Sequence, residues 1–462
     1  MNVSRRRFLA GSAALALAGA APRIAAPGEV TPLRAAPGSV RLAPPGYPET
    51  PVWGYEGGVP GPVLRAAQGE RFTRRFVNDL PQPSTIHWHG IRIANAMDGV
   101  PDLTQAAVPP GGEFLYDFVV PDAGTYWYHP HQRTWEQMAR GLYGALIVEE
   151  HAPPLVDRDE VLLIDDWRLA EDARIQESFG AMMDLSHAGR IGNWVTVNGS
   201  GEFRLSVTRH ERLRLRLVNT ANARIFSLGL QGMEGWIVAL DGQPLDEPAP
   251  ADRMTLAPAQ RADLIADVTG EEGAAALLVS FERDGTHTIA TLNVAGIERP
   301  VRLPAPAALP ANPVPPLGDL ARARRVMLHM EGGAMGGMRE AVMDGQTTDI
   351  RQLVQAGLVW AMNGVAADLP REPLIAASRG ETVRISMVND TAWPHGMHLH
   401  GHHFRRLHAG GRPGPLRDTV LIDRGDTTEI AFHADNPGRW LLHCHMLEHA
   451  ASGMRTWLEV TG

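Results

Sequence analysis

Polar and apolar residues alternate through three stretches of the chain, residues 69–79, 210–219 and 380–390, and each stretch runs into the same pair, Val77-Asn78, Val218-Asn219 and Val388-Asn389. A period of two is that of a half-buried strand. Its recurrence at three places predicts three related β units. Further short alternating or apolar runs, at 114–120, 142–149, 161–165, 264–268 and 420–423, are bounded by Gly, Pro, Asp or Asn. That spacing predicts Greek-key β-sandwiches rather than βαβ units, so the expected fold class is all-β. A Pro-rich stretch at 303–316 reads as an interdomain linker. The expected units are then 40–155, 156–302 and 317–462.

Composition agrees with this picture and narrows it. The 462 residues suffice for two or three domains, and 48 Gly with 36 Pro suit turn-rich β architecture. A formal net charge of −9 offers no basic surface for nucleic acid. Residues 1–26 read as a targeting segment: Ser4-Arg5-Arg6-Arg7-Phe8-Leu9 precedes an apolar run to Ala21, with small residues at Ala18-Gly19-Ala20. The run is too short to serve as a stable membrane anchor. The paired arginines resemble a twin-arginine signal, which implies the twin-arginine export machinery as a partner and the periplasm as destination. Exported proteins commonly carry disulfides, yet Cys444 is the one cysteine, so no intrachain bridge exists. Metal coordination is one way to protect such a thiol.

The first and third units share a second set of matches that the middle unit lacks. Residues 124–131 align with 438–445, and His87-Trp88-His89-Gly90 follows the first repeat much as His398-Leu399-His400-Gly401 follows the last. Four His-x-His pairs result: His87/His89, His129/His131, His398/His400 and His443/His445. Residues i and i+2 of a strand share a face, so each pair can present two imidazoles in one direction. Eight imidazoles at equivalent places in two repeats exceed the needs of one ion and predict a multi-ion cluster built by both outer units. A second constellation, His395, Cys444, His449 and Met454, supplies two imidazoles, a thiolate and a thioether. That is the donor set of a blue-copper electron-transfer centre. Zinc is the competing metal, but a closed zinc site has no use for the thioether or for eight further histidines.

These residues resemble those of the multicopper oxidases, a family of three cupredoxin domains that includes laccases and bacterial cuprous oxidases. The likeness runs from about Pro51 to Leu458 and rests on His-Trp-His-Gly, Tyr-His-x-His, His-x-x-His-x-His and His-Cys-His-x-x-x-His with a Met five further on. It implies four copper ions: a type 1 ion on His395, Cys444, His449 and axial Met454; a type 2 ion on His87 and His398; and a type 3 pair on His89, His129 and His445 and on His131, His400 and His443. Pro130 stands where Cys444 would be in the first unit, so one blue site is implied. Cys444, flanked by His443 and His445, would join electron uptake to the reduction of dioxygen to water. Asp98, eleven residues after His87, matches the family's acidic residue beside the cluster and is the candidate proton relay. Ala450 and Ala451 stand where many bacterial relatives carry acids, so a second proton donor is unassigned.

The electron donor is less constrained. Phenols or aromatic amines, oxidised as by a laccase, are the first reading, and a periplasmic cuprous oxidase serving copper tolerance is the alternative. A non-catalytic copper-binding scaffold would not need every ligand position filled, and a copper nitrite reductase would not need a third domain. Met327, Met330, Met335, Met338 and Met343 fall within seventeen residues. Thioethers are soft ligands for Cu(I), and the interspersed Gly332, Gly333, Gly336 and Gly337 suggest a flexible loop that could receive that ion.

Overall fold

The computed structural model describes residues 30–462; the proposed targeting segment lies outside them. Among the described residues the strands form three pairs of larger sheets and one small hairpin. Two four-stranded sheets use strands between Pro32 and Glu149, a six- and a five-stranded sheet use strands between Arg158 and Ile297, and another six- and five-stranded pair uses strands between Arg324 and Thr461. No described helix is long and apolar enough to cross a membrane.

The three repeat segments become the strands Arg71–Asn78, Arg212–Asn219 and Thr382–Asn389, and they occupy one position in three sheets. Each runs parallel to the first long strand of its unit and antiparallel to a later one: Pro32–Val40 and Glu113–Val119, Arg158–Trp167 and Arg261–Val268, Arg324–Gly332 and Thr427–His433. The terminal Asn of each repeat explains its recurrence. Asn78, Asn219 and Asn389 each accept, on Oδ1, the backbone N–H two residues on, and each donates Nδ2 to carbonyls of the connecting loops. An Asx turn of this kind fixes how the chain leaves the strand. In the outer units it leads to His87 and to His395.

Two differences from the sequence reading have physical causes. The middle repeat is buried throughout rather than on one face. Its polar side chains, Arg212, Arg214 and Arg216, are neutralised in place by Asp267, by Glu150 with Asp263, and by Asp159 with Asp263. The polar face of that strand therefore packs on the first unit, where Arg216 also donates to Thr125. The stretch 303–316 contains no strand or helix, but it is docked: Asn312 exchanges hydrogen bonds with both backbone groups of Ala123 at 2.8 Å.

The apolar cores carry the relation between units. One continuous cluster joins residues of the first unit, such as Phe72, Trp88 and Tyr128, to residues of the third, such as Ile385, Phe432 and Trp440, whereas the middle unit has its own core around Leu215, Phe226 and Leu264. The outer units are packed as one body at the place where both carry their histidines.

Candidate metal centre

All eight histidines of the four pairs are buried and lie together. Strand pairing sets His87 opposite His129 in the first unit and His398 opposite His443 in the third. Across the units His87 stacks on His400 with ring centroids 4.0 Å apart, and His89 stacks on His398 at 3.7 Å. Nε2 of His400 lies 3.1 Å from Nε2 of His443, and Nε2 of His445 lies 3.4 Å from Nε2 of His129. The simple i, i+2 expectation needs one refinement. Only His87 and His89 both sit in a strand; His131, His400 and His445 fall just past strand ends. The close groups draw on more than one pair: His87 with His398 and His400, His87 with His89 and His129, and His131 with His400 and His443.

Ring orientation is imposed from behind. Nδ1 of His87, His129, His398 and His443 donates to the carbonyls of Asp98, Pro130, Asp418 and Cys444, at 2.8 to 3.0 Å. Nδ1 of His400 is held by the carboxylate of Asp98 at 2.9 Å. Each such bond fixes the tautomer and leaves Nε2 as a lone-pair donor facing inward. Burial holds His89, His129, His131, His400 and His445 well below the ordinary histidine value and His443 at about 3, helped by mutual repulsion. The rings are therefore neutral at physiological pH, as ligands must be. Nε2 of His87, His131 and His398 and Nδ1 of His89 are buried without a hydrogen-bonding partner. So many inward-facing orphans in one place would be costly in a metal-free core; bound metal ions would satisfy them.

The second constellation forms beside the first. Sγ of Cys444 lies 3.6 Å from Nδ1 of His395 and 3.8 Å from Nδ1 of His449, and the two Nδ1 atoms are 3.1 Å apart. His395 donates Nε2–H to Thr391 Oγ1 at 2.8 Å, and His449 donates Nε2–H to the carbonyl of His187 at 2.7 Å. Both Nδ1 lone pairs are thus turned toward the sulfur. Burial, with a smaller push from Glu448, raises the thiol to about 12, so Cys444 becomes a thiolate only when a cation binds it. Met454 is fully buried in the same core, and its carbonyl accepts from Cys444 N–H at 3.0 Å. Trp360, which no motif marked, walls the site with its ring 5.2 Å from His395 and 4.6 Å from His449.

Asp98 is buried against the cluster, its carboxylate on His400. A second carboxylate that sequence reasoning missed is Asp418, 3.4 Å from His89 Nε2. The available signal was the likeness of Asp418-Thr419-Val420 to Asp98-Gly99-Val100, each following a histidine pair. The methionine segment behaves differently from expectation. Met327 and Met330 lie on opposite faces of the strand Arg324–Gly332, so Met327 is 60% exposed while Met330 is in the core. Met338 and Met343 pack on a small apolar cluster around Leu353. Only Met327 and Met335 face solvent, and the loop at 333–338 is tied down rather than free: Ala334 N–H donates to Ser186, and the Trp393 indole donates to Ala334. Gly333 is there because a Cβ would run into Trp360.

Comparison with known proteins assigns the class. Three family descriptions, each for multicopper oxidases, match residues 38–153, 158–297 and 339–461. A solved structure of Lac15 from a marine microbial metagenome is 43% identical, with a TM-score of 0.75 over 94% of this chain and 100% of that one. A multi-copper oxidase from Pseudomonas thermotolerans is 34% identical, with a TM-score of 0.80 over 94% and 99%. The multicopper oxidase MmcO of Mycobacterium tuberculosis is 29% identical over 88% of this chain and 82% of its own length. The chain belongs to the multicopper oxidase family: it is a copper-dependent oxidoreductase with cupredoxin-like domains that passes electrons from a reducing substrate to dioxygen.

Proposed function

We propose that this oxidase holds four copper ions and takes its electrons from phenols or aromatic amines. His395, Cys444 and His449, with Met454 as axial donor, would hold the type 1 ion; His87 and His398 the type 2 ion; His89, His129 and His445, with His131, His400 and His443, the type 3 pair. The observation that carries this reading is adjacency: Cys444, with two Nδ1 atoms within 3.8 Å of its sulfur, lies between His443 and His445, which belong to the cluster. A few covalent bonds thus connect the two ligand groups. Bound copper supplies the one-electron redox steps and the reduction of dioxygen. The chain's own part is to keep the imidazoles neutral and oriented, to exclude bulk water from the cluster, and to hold a carboxylate, Asp98, where a proton can be handed on.

Two features bear on the donor. The outward edge of buried His449 is bonded to the carbonyl of part-buried His187, a contact through which an organic molecule on the surface could pass its electron. The alternative, a cuprous oxidase of copper tolerance, is favoured by exposed Met327 and Met335. Steady-state oxygen uptake with a phenol and with Cu(I), side by side on copper-loaded protein, separates the two: the first reading requires the phenol to give the higher kcat/KM. The arginine-led segment at 1–26 supports export by the twin-arginine route to the periplasm, which cell fractionation with and without residues 1–26 tests.

A further inference from the structure

Two aspartates stand in exchanged relation to the histidine cluster. The carbonyl of Asp98 accepts from His87 of its own unit, and its carboxylate reaches across to His400 of the other. The carbonyl of Asp418 accepts from His398 of its own unit, and its Oδ1 reaches across to within 3.4 Å of His89 Nε2. The equivalence ends one layer further out. Among the described residues no arginine pairs with Asp98, whereas Asp418 is forked by Arg261, with Nη1 2.9 Å from Oδ1 and Nη2 2.6 Å from Oδ2. Arg261 belongs to the middle unit's strand Arg261–Val268, is fully buried, and also donates Nε–H to the carbonyl of Thr125 in the first unit. One guanidinium therefore touches all three units directly behind the cluster.

We propose that Arg261 and Asp418 are positioning residues of the copper cluster, through which the middle unit, lacking cluster histidines, controls metal retention. The proposal rests on the reading of His89 and His398 as copper ligands. The Asp418 carboxylate lies 3.4 Å from Nε2 of His89, and its charge favours the tautomer with the proton on that nitrogen; Nδ1, buried without a partner, is then the atom left to a metal. That makes His89 the exception among rings that otherwise turn Nε2 inward. A carboxylate placed to fix this tautomer must itself be fixed, and a bidentate guanidinium does so with a charge-assisted, planar fork. The glycine of His-Trp-His-Gly points the same way. Gly90 has φ of +87°, and a Cβ on it would overlap both Arg261 Nη2 and Asp418 Oδ2. The motif's last residue is small because the pair passes there.

The test uses full-length, copper-loaded protein and electron paramagnetic resonance, with the type 1 signal as an internal control for folding. In Arg261→Met and in Asp418→Asn the type 1 signal stays as in the parent, the type 2 signal changes or is lost, and a chelator removes cluster copper about 10–100-fold more readily. Arg261→Lys, which keeps the charge without the fork, falls between. Either single variant leaves one buried charge unpaired and can unfold for that reason; the double variant Arg261→Met/Asp418→Leu removes both charges and should show the same loss of cluster copper. Variants with an intact type 1 signal that keep the parental type 2 signal and chelator resistance would overturn the proposal. A parent protein without any type 2 signal would instead sink the ligand assignment, and the proposal with it.

Discussion

The outward ring nitrogen of His449 ends 2.7 Å from the carbonyl oxygen of His187. A segment of the middle unit, from the short helix Met182–Ser186 to Arg190, thus covers the proposed point of electron uptake, and the Arg190 N–H bonds Glu448 beside that histidine. Gly189 lies in this segment with φ of +81°, and a Cβ there would collide with Ala223. Gly189→Val should therefore shift the covering segment without touching any ligand. We expect the blue absorption to persist while kcat/KM for a phenolic donor changes by about threefold or more. Unchanged donor kinetics would place electron uptake elsewhere.

Cys444→Ser tests the sulfur itself. Oxygen is a harder donor than thiolate, so the blue absorption should vanish and donor oxidation should fall by about a thousandfold or more. The side chain is nearly isosteric, and denaturant unfolding of the copper-free variant should stay within about 2 kcal/mol of the parent.

The buried arginines of the middle unit make a separate stability prediction. Nη2 of Arg214 is 2.7 Å from both Glu150 and Asp263, all three groups being at most 5% exposed. Arg214→Met leaves those carboxylates without part of their counter-charge, which should cost about 3–5 kcal/mol in urea unfolding. A loss below about 1 kcal/mol would contradict the dependence of these buried carboxylates on Arg214.

His403 gives a pH dependence with a defined sign. It is buried beside Arg92 and Arg261, with Asp418 and Asp122 as the opposing charges, and desolvation lowers it from 6.5 to about 4. Below 6.5 the unfolded chain takes up a proton that the folded chain refuses until about pH 4. Stability is therefore present above 6.5 and lost as pH falls through that window. Between pH 7 and pH 5 the parent should lose about 2 kcal/mol more than His403→Gln, read from melts of both proteins. Parallel curves would contradict the neutral, buried state of this ring.

Much of this arrangement was written in local patterns. The alternation at 69–79, 210–219 and 380–390 named three strands at one sheet position, and the His-x-His pairs with Cys444 named the rings that meet. What stayed hidden depends on contacts between units. Arg214 and Arg216 read as a solvated face because their partners, Glu150 and Asp263, are far off in sequence. Arg261 and Asp418 fall outside every motif, since their pairing joins residues 157 positions apart in different units. The methionine run looked like one ligand cluster because composition ignores strand alternation, which turns Met327 out and Met330 in.

The claim on which the account depends is that histidines of the two outer units act as one site for the full reduction of dioxygen. It is tested most directly by titrating oxygen consumption against a one-electron phenolic donor on copper-loaded protein, with peroxide assayed in the same vessel. About four donor molecules should be oxidised per dioxygen with no peroxide accumulating. A ratio near two with peroxide released would show that the eight imidazoles do not work as a single cluster.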